Sequence, residues 1–120
     1  RFNAVDFNRI KNNLDYLREL AIKLYDEFSI VSLGADRTPV DYFYADEINQ
    51  LEENLKTVNE NSLRRSYGNA PTYVDNGNTM DFVELNRLEG AILDLYDRLT
   101  NELEGRRMLT WNFGMKGGDL

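Results

Sequence analysis

The chain has 120 residues, and among them are no histidine, no cysteine and only two prolines. Without histidine, neither Ser-His-Asp nor Cys-His catalysis can be assembled, and without both residues the usual zinc sites are excluded. A carboxylate di-metal centre would suit a helical protein, but it draws on Glu-x-x-His motifs that this sequence cannot supply. The missing cysteine also rules out disulfides and leaves the redox compartment open. No apolar run approaches the roughly 18 residues of a membrane span, so no membrane partner is expected. Lys116-Gly117-Gly118 lacks the glycine spacing and the following Ser or Thr of a phosphate loop, and reads as a flexible end. We therefore assign no catalytic, cofactor-binding or metal-ligating residues and expect a protein that is not an enzyme.

Basic residues are also scarce. Fourteen Lys and Arg stand against 21 Asp and Glu, giving a net charge of −7 and a pI near 4.6. Phosphate contacts need clustered Lys and Arg, and the only basic pairs are Arg64-Arg65 and Arg106-Arg107, so no nucleic-acid partner is expected. Both pairs lie near predicted helix ends, where they complement the helix dipole. The acids are uneven: residues 29–60 carry seven acidic against two basic side chains. They read as solvated helix faces; an acidic regulatory protein or DNA-mimic inhibitor is the alternative reading. Asp75-Asn76-Gly77-Asn78-Thr79-Met80-Asp81 places oxygen ligands at suggestive intervals, but the position where a helix-flanked calcium loop needs a bidentate Glu holds Asn86. A turn leading into an N-cap accounts for the same residues.

What the sequence does have is one pattern written three times. Asn8-Arg9-Ile10-Lys11, Asn49-Gln50-Leu51-Glu52 and Asn86-Arg87-Leu88-Glu89 share Asn, a long polar residue, an aliphatic residue and a charged one. Each follows an acid and an apolar residue, and each is followed by Leu14, Leu55 or Ile92. The copies start 41 and 37 residues apart, the length of a long helix plus its connection. Around each copy, apolar residues recur at alternating steps of three and four, the seam of a bundle helix. The seams are Phe7, Ile10, Leu14, Leu17, Ala21, Leu24, Phe28; then Tyr44, Ile48, Leu51, Leu55, Val58, Ser62; then Leu85, Leu88, Ile92, Leu95, Leu99, Leu103.

The spacing predicts a first helix from about Ala4 to Phe28, with Asn3 as N-cap and Asp6 in the first turn. A second runs from Asp41–Tyr44 to about Leu63, and a third from Asp81, with Glu84 three residues on, to about Gly105. The recurrent Asn8, Asn49 and Asn86 are expected beside the seam, capping or bridging to a neighbouring helix or loop backbone. Residues 108–120 differ in kind. Met108-Leu109-Thr110-Trp111-Asn112-Phe113-Gly114-Met115 alternates apolar with small or polar residues, which is a strand signature. A lone strand needs a partner, whether Ile30–Leu33, another subunit or further sequence. The expected fold is all-α: an antiparallel three-helix bundle over 1–107, built from three related helical repeats, with a short β-like appendage at 108–120.

Apolar residues off the seams (Tyr16, Leu20, Tyr25, Val83, Leu93 and Tyr96, with Tyr42 and Phe43) exceed what three-helix packing requires. Together with Trp111 and Phe113, Tyr42, Phe43 and Tyr96 form the candidate protein interface, with Trp111 and Phe113 expected in a contact between chains.

The acid–apolar–Asn pattern resembles a helical module of tail- and baseplate-associated structural proteins of phages and prophages of Gram-positive bacteria. Phe43-Tyr44-Ala45-Asp46-Glu47-Ile48-Asn49-Gln50-Leu51-Glu52 matches best and Asp81-Phe82-Val83-Glu84-Leu85-Asn86-Arg87-Leu88-Glu89 next. The likeness covers the three helices, about two-thirds of the chain; the third copy departs from it in having Gly90-Ala91 where the first has Asn12-Asn13. The resemblance implies a non-enzymatic building block of a virion tail, assembled in the bacterial host cytoplasm. It also implies that the partners are further copies of the chain, as a homo-oligomer, or other phage tail proteins. It brings no catalytic residues to carry over.

Overall fold

Three helices make up the regular structure of the computed structural model, which describes residues 2–40, 44–75 and 80–117, the last eleven as backbone only. They are α1 (Ala4–Leu24), α2 (Ala45–Glu60) and α3 (Phe82–Gly117). Helix α1 begins as its sequence requires. The Asn3 side chain accepts from the Asp6 amide at 3.0 Å, and Asp6 accepts in return from the Asn3 amide at 3.2 Å. This reciprocal box satisfies two of the donors that a helix start leaves open. At α3 the Glu84 amide donates to Asp81 at 2.8 Å, as the Asp–Glu spacing predicts. Helix α1 ends at Leu24, four residues before the expected Phe28, because the chain turns into extended backbone at Tyr25.

The helices are parallel, which corrects the antiparallel expectation. Along α1 and α3 the partners rise together: Arg9 bonds Glu89, the Tyr16 and Tyr96 rings lie 5.9 Å apart, and Tyr25 donates to Glu102 at 3.0 Å. The two connections run back antiparallel to the helices. In the first return segment, 25–40, Phe28 O accepts from Arg18, Gly34 O from Lys11 and Arg37 O from Asn8. Helix α2 climbs against the same segment, from Glu47 at Arg37 to Asn54 at Val31. The second return segment, 61–75, descends α2 from Asn59 at Arg65 to Ala45 at Asp75. The physical reason is length. Thirteen residues of extended chain cover roughly 43 Å, more than the roughly 32 Å of a 21-residue helix, so each connection regains the starting end before the next helix begins.

Parallel helices with matching seams put equivalent residues at equal heights. Phe7, Ile48 and Leu85 are all buried, as are Ile10, Leu51 and Leu88; Leu14, Leu55 and Ile92; and Leu17, Val58 and Leu95. From the connections, Tyr73 and Met80 join this core, with Phe28, Ile30, Leu33 and Tyr67 packed against it. The return segments thus close the bundle, although none of the described residues forms a strand. The tail is also corrected where it is described: the backbone of 108–117 continues α3 as helix, where alternation predicts an extended segment. Gly105 does not stop α3.

The layers set the cost of truncation. Leu55→Ala or Ile92→Ala leaves a cavity in the third layer, and each should cost roughly 2–5 kcal/mol in urea melts. Glu53→Ala, on the exposed side, should change stability by less than about 0.5 kcal/mol. Equal losses for all three would contradict the layer assignment.

Candidate protein–protein interface

Each return segment is held by an asparagine of the repeated motif. Asn8 Nδ2 donates to Arg37 O at 2.8 Å, and the Arg37 amide donates to Asn8 Oδ1 at 2.7 Å. Asn49 does the same for Tyr73, at 2.9 and 2.8 Å. A primary amide carries one acceptor and two donors, so it pairs with a peptide unit as another strand would. This is the backbone bridge expected of Asn8 and Asn49. A third amide, Asn54, grips Val31 in the same way, accepting at 3.1 Å and donating at 2.9 Å. The first segment is therefore fixed at two points six residues apart, by one helix on each side.

Charged groups complete the seating. Lys11 is buried and donates to Gly34 O at 2.9 Å and Asp36 at 3.0 Å. Arg37 lies over the Phe7 ring, 4.7 Å from its centroid, and meets Glu47 at 2.6 Å. That guanidinium hydrogen bond holds the Glu47 carboxyl below its ordinary range. Under the second segment, Glu52 of α2 pairs with Arg87 of α3, and Arg87 also donates to Tyr67 O at 3.4 Å. Burial pushes the Glu52 carboxyl up despite the Arg87 partner. The Tyr67 hydroxyl donates to Asp94 at 2.8 Å, and burial together with that bond pushes it up to about 12. The Tyr73 hydroxyl is buried with no hydrogen-bond partner among the described residues, and burial pushes it up to about 12 as well.

The three grooves between neighbouring helices are not equally filled. The first segment lies between α1 and α2, and the second between α2 and α3. Between α3 and α1 no described segment lies, and a cavity of about 490 Å³ is lined by Asn13, Tyr16, Leu17, Glu89, Ile92, Leu93 and Tyr96; a second cavity, of about 680 Å³, lies between α2 and the second segment, beside Asn49, Asn59, Tyr67 and Arg87. Glu89, on the lining of the α3–α1 groove, is bridged to Arg9, the repeat equivalent of the bridge from Arg87 to Glu52. Exposed apolar side chains divide accordingly. Of the ten large ones among the described residues, Tyr16, Leu93 and Tyr96 line this groove. Six others, Val5, Val40, Tyr44, Val74, Phe82 and Val83, belong to the end of the bundle where all three helices start.

Of the five residues singled out from sequence, Tyr96 is placed, in the open groove against Tyr16. Tyr42, Phe43 and the side chains of Trp111 and Phe113 lie outside the described residues. Val83 is one of the residues expected off the stripes, whereas Tyr44, expected on the second stripe, is more than half exposed; the six come together because the helices are parallel. Among the described residues no group of three or more acidic side chains could hold a metal ion, and no helix is long and apolar enough to cross a membrane.

Removing a bridging amide leaves a peptide unit without its partner, which costs more than the bond itself contributes. Asn8→Ala and Asn49→Ala should each lower stability by roughly 1–3 kcal/mol in urea unfolding, and hydrogen exchange should accelerate at the Arg37 or Tyr73 amide respectively. Unchanged exchange at those amides would show that the segments are held by other contacts. No family model matches the chain, and no curated protein and no solved structure matches it.

Proposed function

We propose that the protein is a non-enzymatic structural component of a phage or prophage tail or baseplate, acting by assembly with further copies of itself or with other tail proteins. The threefold acid–apolar–Asn motif and its resemblance to tail-associated modules support the virion setting. The observation that carries the assembly part is the apolar end. Val5, Val40, Tyr44, Val74, Phe82 and Val83 are all more than half exposed and belong to the starting end of one parallel bundle. Tyr42 and Phe43 directly precede Tyr44 in sequence. Large side chains left in water at one end favour a partner that removes them, by about 25 cal/mol for each Å² of apolar surface covered. Parallel helices suit such use, because all three present their first turns in one direction.

Light scattering on the purified chain tests this reading. The chain should associate, with a mass that changes little between low and high salt, because apolar contacts are not screened. The triple variant Val5→Ser, Phe82→Ser, Val83→Ser should move towards monomer while its circular dichroism stays helical. Association that survives the triple change, or that dissolves as salt rises, would favour the acidic surface and a regulatory role.

A further inference from the structure

The open α1–α3 groove has the fittings of the two that are filled. Asn13 and Asn86 are the repeat equivalents of Asn54 and Asn8, the pair that grips the first return segment. Both are exposed, and neither hydrogen-bonds among the described residues. Asn13 and Glu89 line the groove, and Glu89, one turn beyond Asn86, pairs with Arg9 of α1. The bridge is no obstacle to an occupant. Its equivalent, Glu52 with Arg87, lies beneath the second segment, where Arg87 gives a hydrogen bond to the segment's own carbonyl at Tyr67. In the α2–α3 groove the position of Asn54 is taken by Ala91, so the open groove carries the full amide pair that the second one lacks.

We propose that this groove receives residues 107–117 of the same chain, which leave α3 and lie in it as a third return segment. Length and register point to that occupant. The first segment is the guide, being the one held by an amide pair: thirteen residues separate the end of α1 at Leu24 from its gripped residue Arg37. The equivalent of Leu24 in α3 is Glu102, and thirteen residues further on stands Met115. On that register Leu109 takes the place of Val31 at Asn13, and Met115 the place of Arg37 at Asn86. The residues around Val31, Ile30-Val31-Ser32-Leu33, correspond to Met108-Leu109-Thr110-Trp111, with the same order of apolar and hydroxyl side chains.

The chain composition agrees. Past Glu104 come Gly105, Thr110, Asn112, Gly114 and Gly117, all weak helix formers. Arg106 reaches Leu24 O at the last turn of α1, so the helical form of 107–117 runs beyond the end of that helix. Docking exchanges this overhang for a groove that already offers Tyr16, Leu93 and Tyr96 as apolar walls and two amides as grips. The assignment places Trp111 and Phe113 within one chain and does not depend on the assembly reading.

Electron–electron spin resonance on the full chain tests it, with nitroxides on Val83→Cys and Met115→Cys; the sequence contains no other cysteine. A continuous helix separates these positions by about 48 Å at 1.5 Å per residue. A docked segment brings residue 115 back beside the first turns of α3, at less than half that distance. We expect the short distance to dominate and to persist when labelled chains are diluted in excess unlabelled chain. We also expect Asn13→Ala with Asn86→Ala to cut its share several-fold, with circular dichroism confirming that the bundle is intact. A single long distance would overturn the proposal. So would a short one that vanishes on dilution, which would place the segment in a neighbouring copy, or one indifferent to the double change.

Discussion

The rest of this structure depends on a side-chain amide pairing with a peptide unit of the returning chain. Asn8 with Arg37 and Asn49 with Tyr73 fix where each return segment lies, and the segment fixes where the next helix starts. Once the chain has been carried back the full length of a helix, the next helix runs in the same direction as the last. Parallel packing of three sequence-local helices follows from that return. Each segment also covers the groove between its two helices and brings Ile30, Leu33, Tyr67 or Tyr73 against the core. The bundle is thus closed by connections that carry out structural work usually left to a fourth helix.

Much of this was legible in the sequence. The three apolar stripes gave the core layers, the caps at Asn3 and Asp81 gave two helix starts, and the asparagines beside the stripe were expected to reach loop backbone, as Asn8 and Asn49 do. Helix direction was not legible, because a stripe at 3.5-residue spacing serves parallel and antiparallel bundles equally well. The information lay in the connections, whose lengths exceed what a tight reversal needs. The early end of α1 at Leu24 was missed for a related reason. Phe28 continues the stripe in register, yet it packs on the core from the return segment and not from the helix. Asn54 was missed because it belongs to no repeated motif position that recurs in the third copy, where Ala91 stands.

The molecule has two distinct surfaces. The departures of this chain from an ordinary three-helix bundle are geometric. One end carries six exposed apolar side chains, and one groove of three holds no described return segment, with Asn13 and Asn86 making no hydrogen bond among the described residues. These are separate features. The apolar end lies where the three helices start. The groove runs along the side, between helices that the chain's own segments fill elsewhere.

The parallel arrangement is the claim on which all of this rests, and a nitroxide at Val5→Cys tests it by broadening nearby amide signals in nuclear magnetic resonance spectra. Helix α2 is about 24 Å long, enough to separate its two ends clearly. The account predicts strong broadening at residues 45–49 and 82–86, with residues 57–60 and 99–103 left sharp. Broadening at 57–60 with 45–49 spared would mean that α2 runs the other way, and would contradict the account.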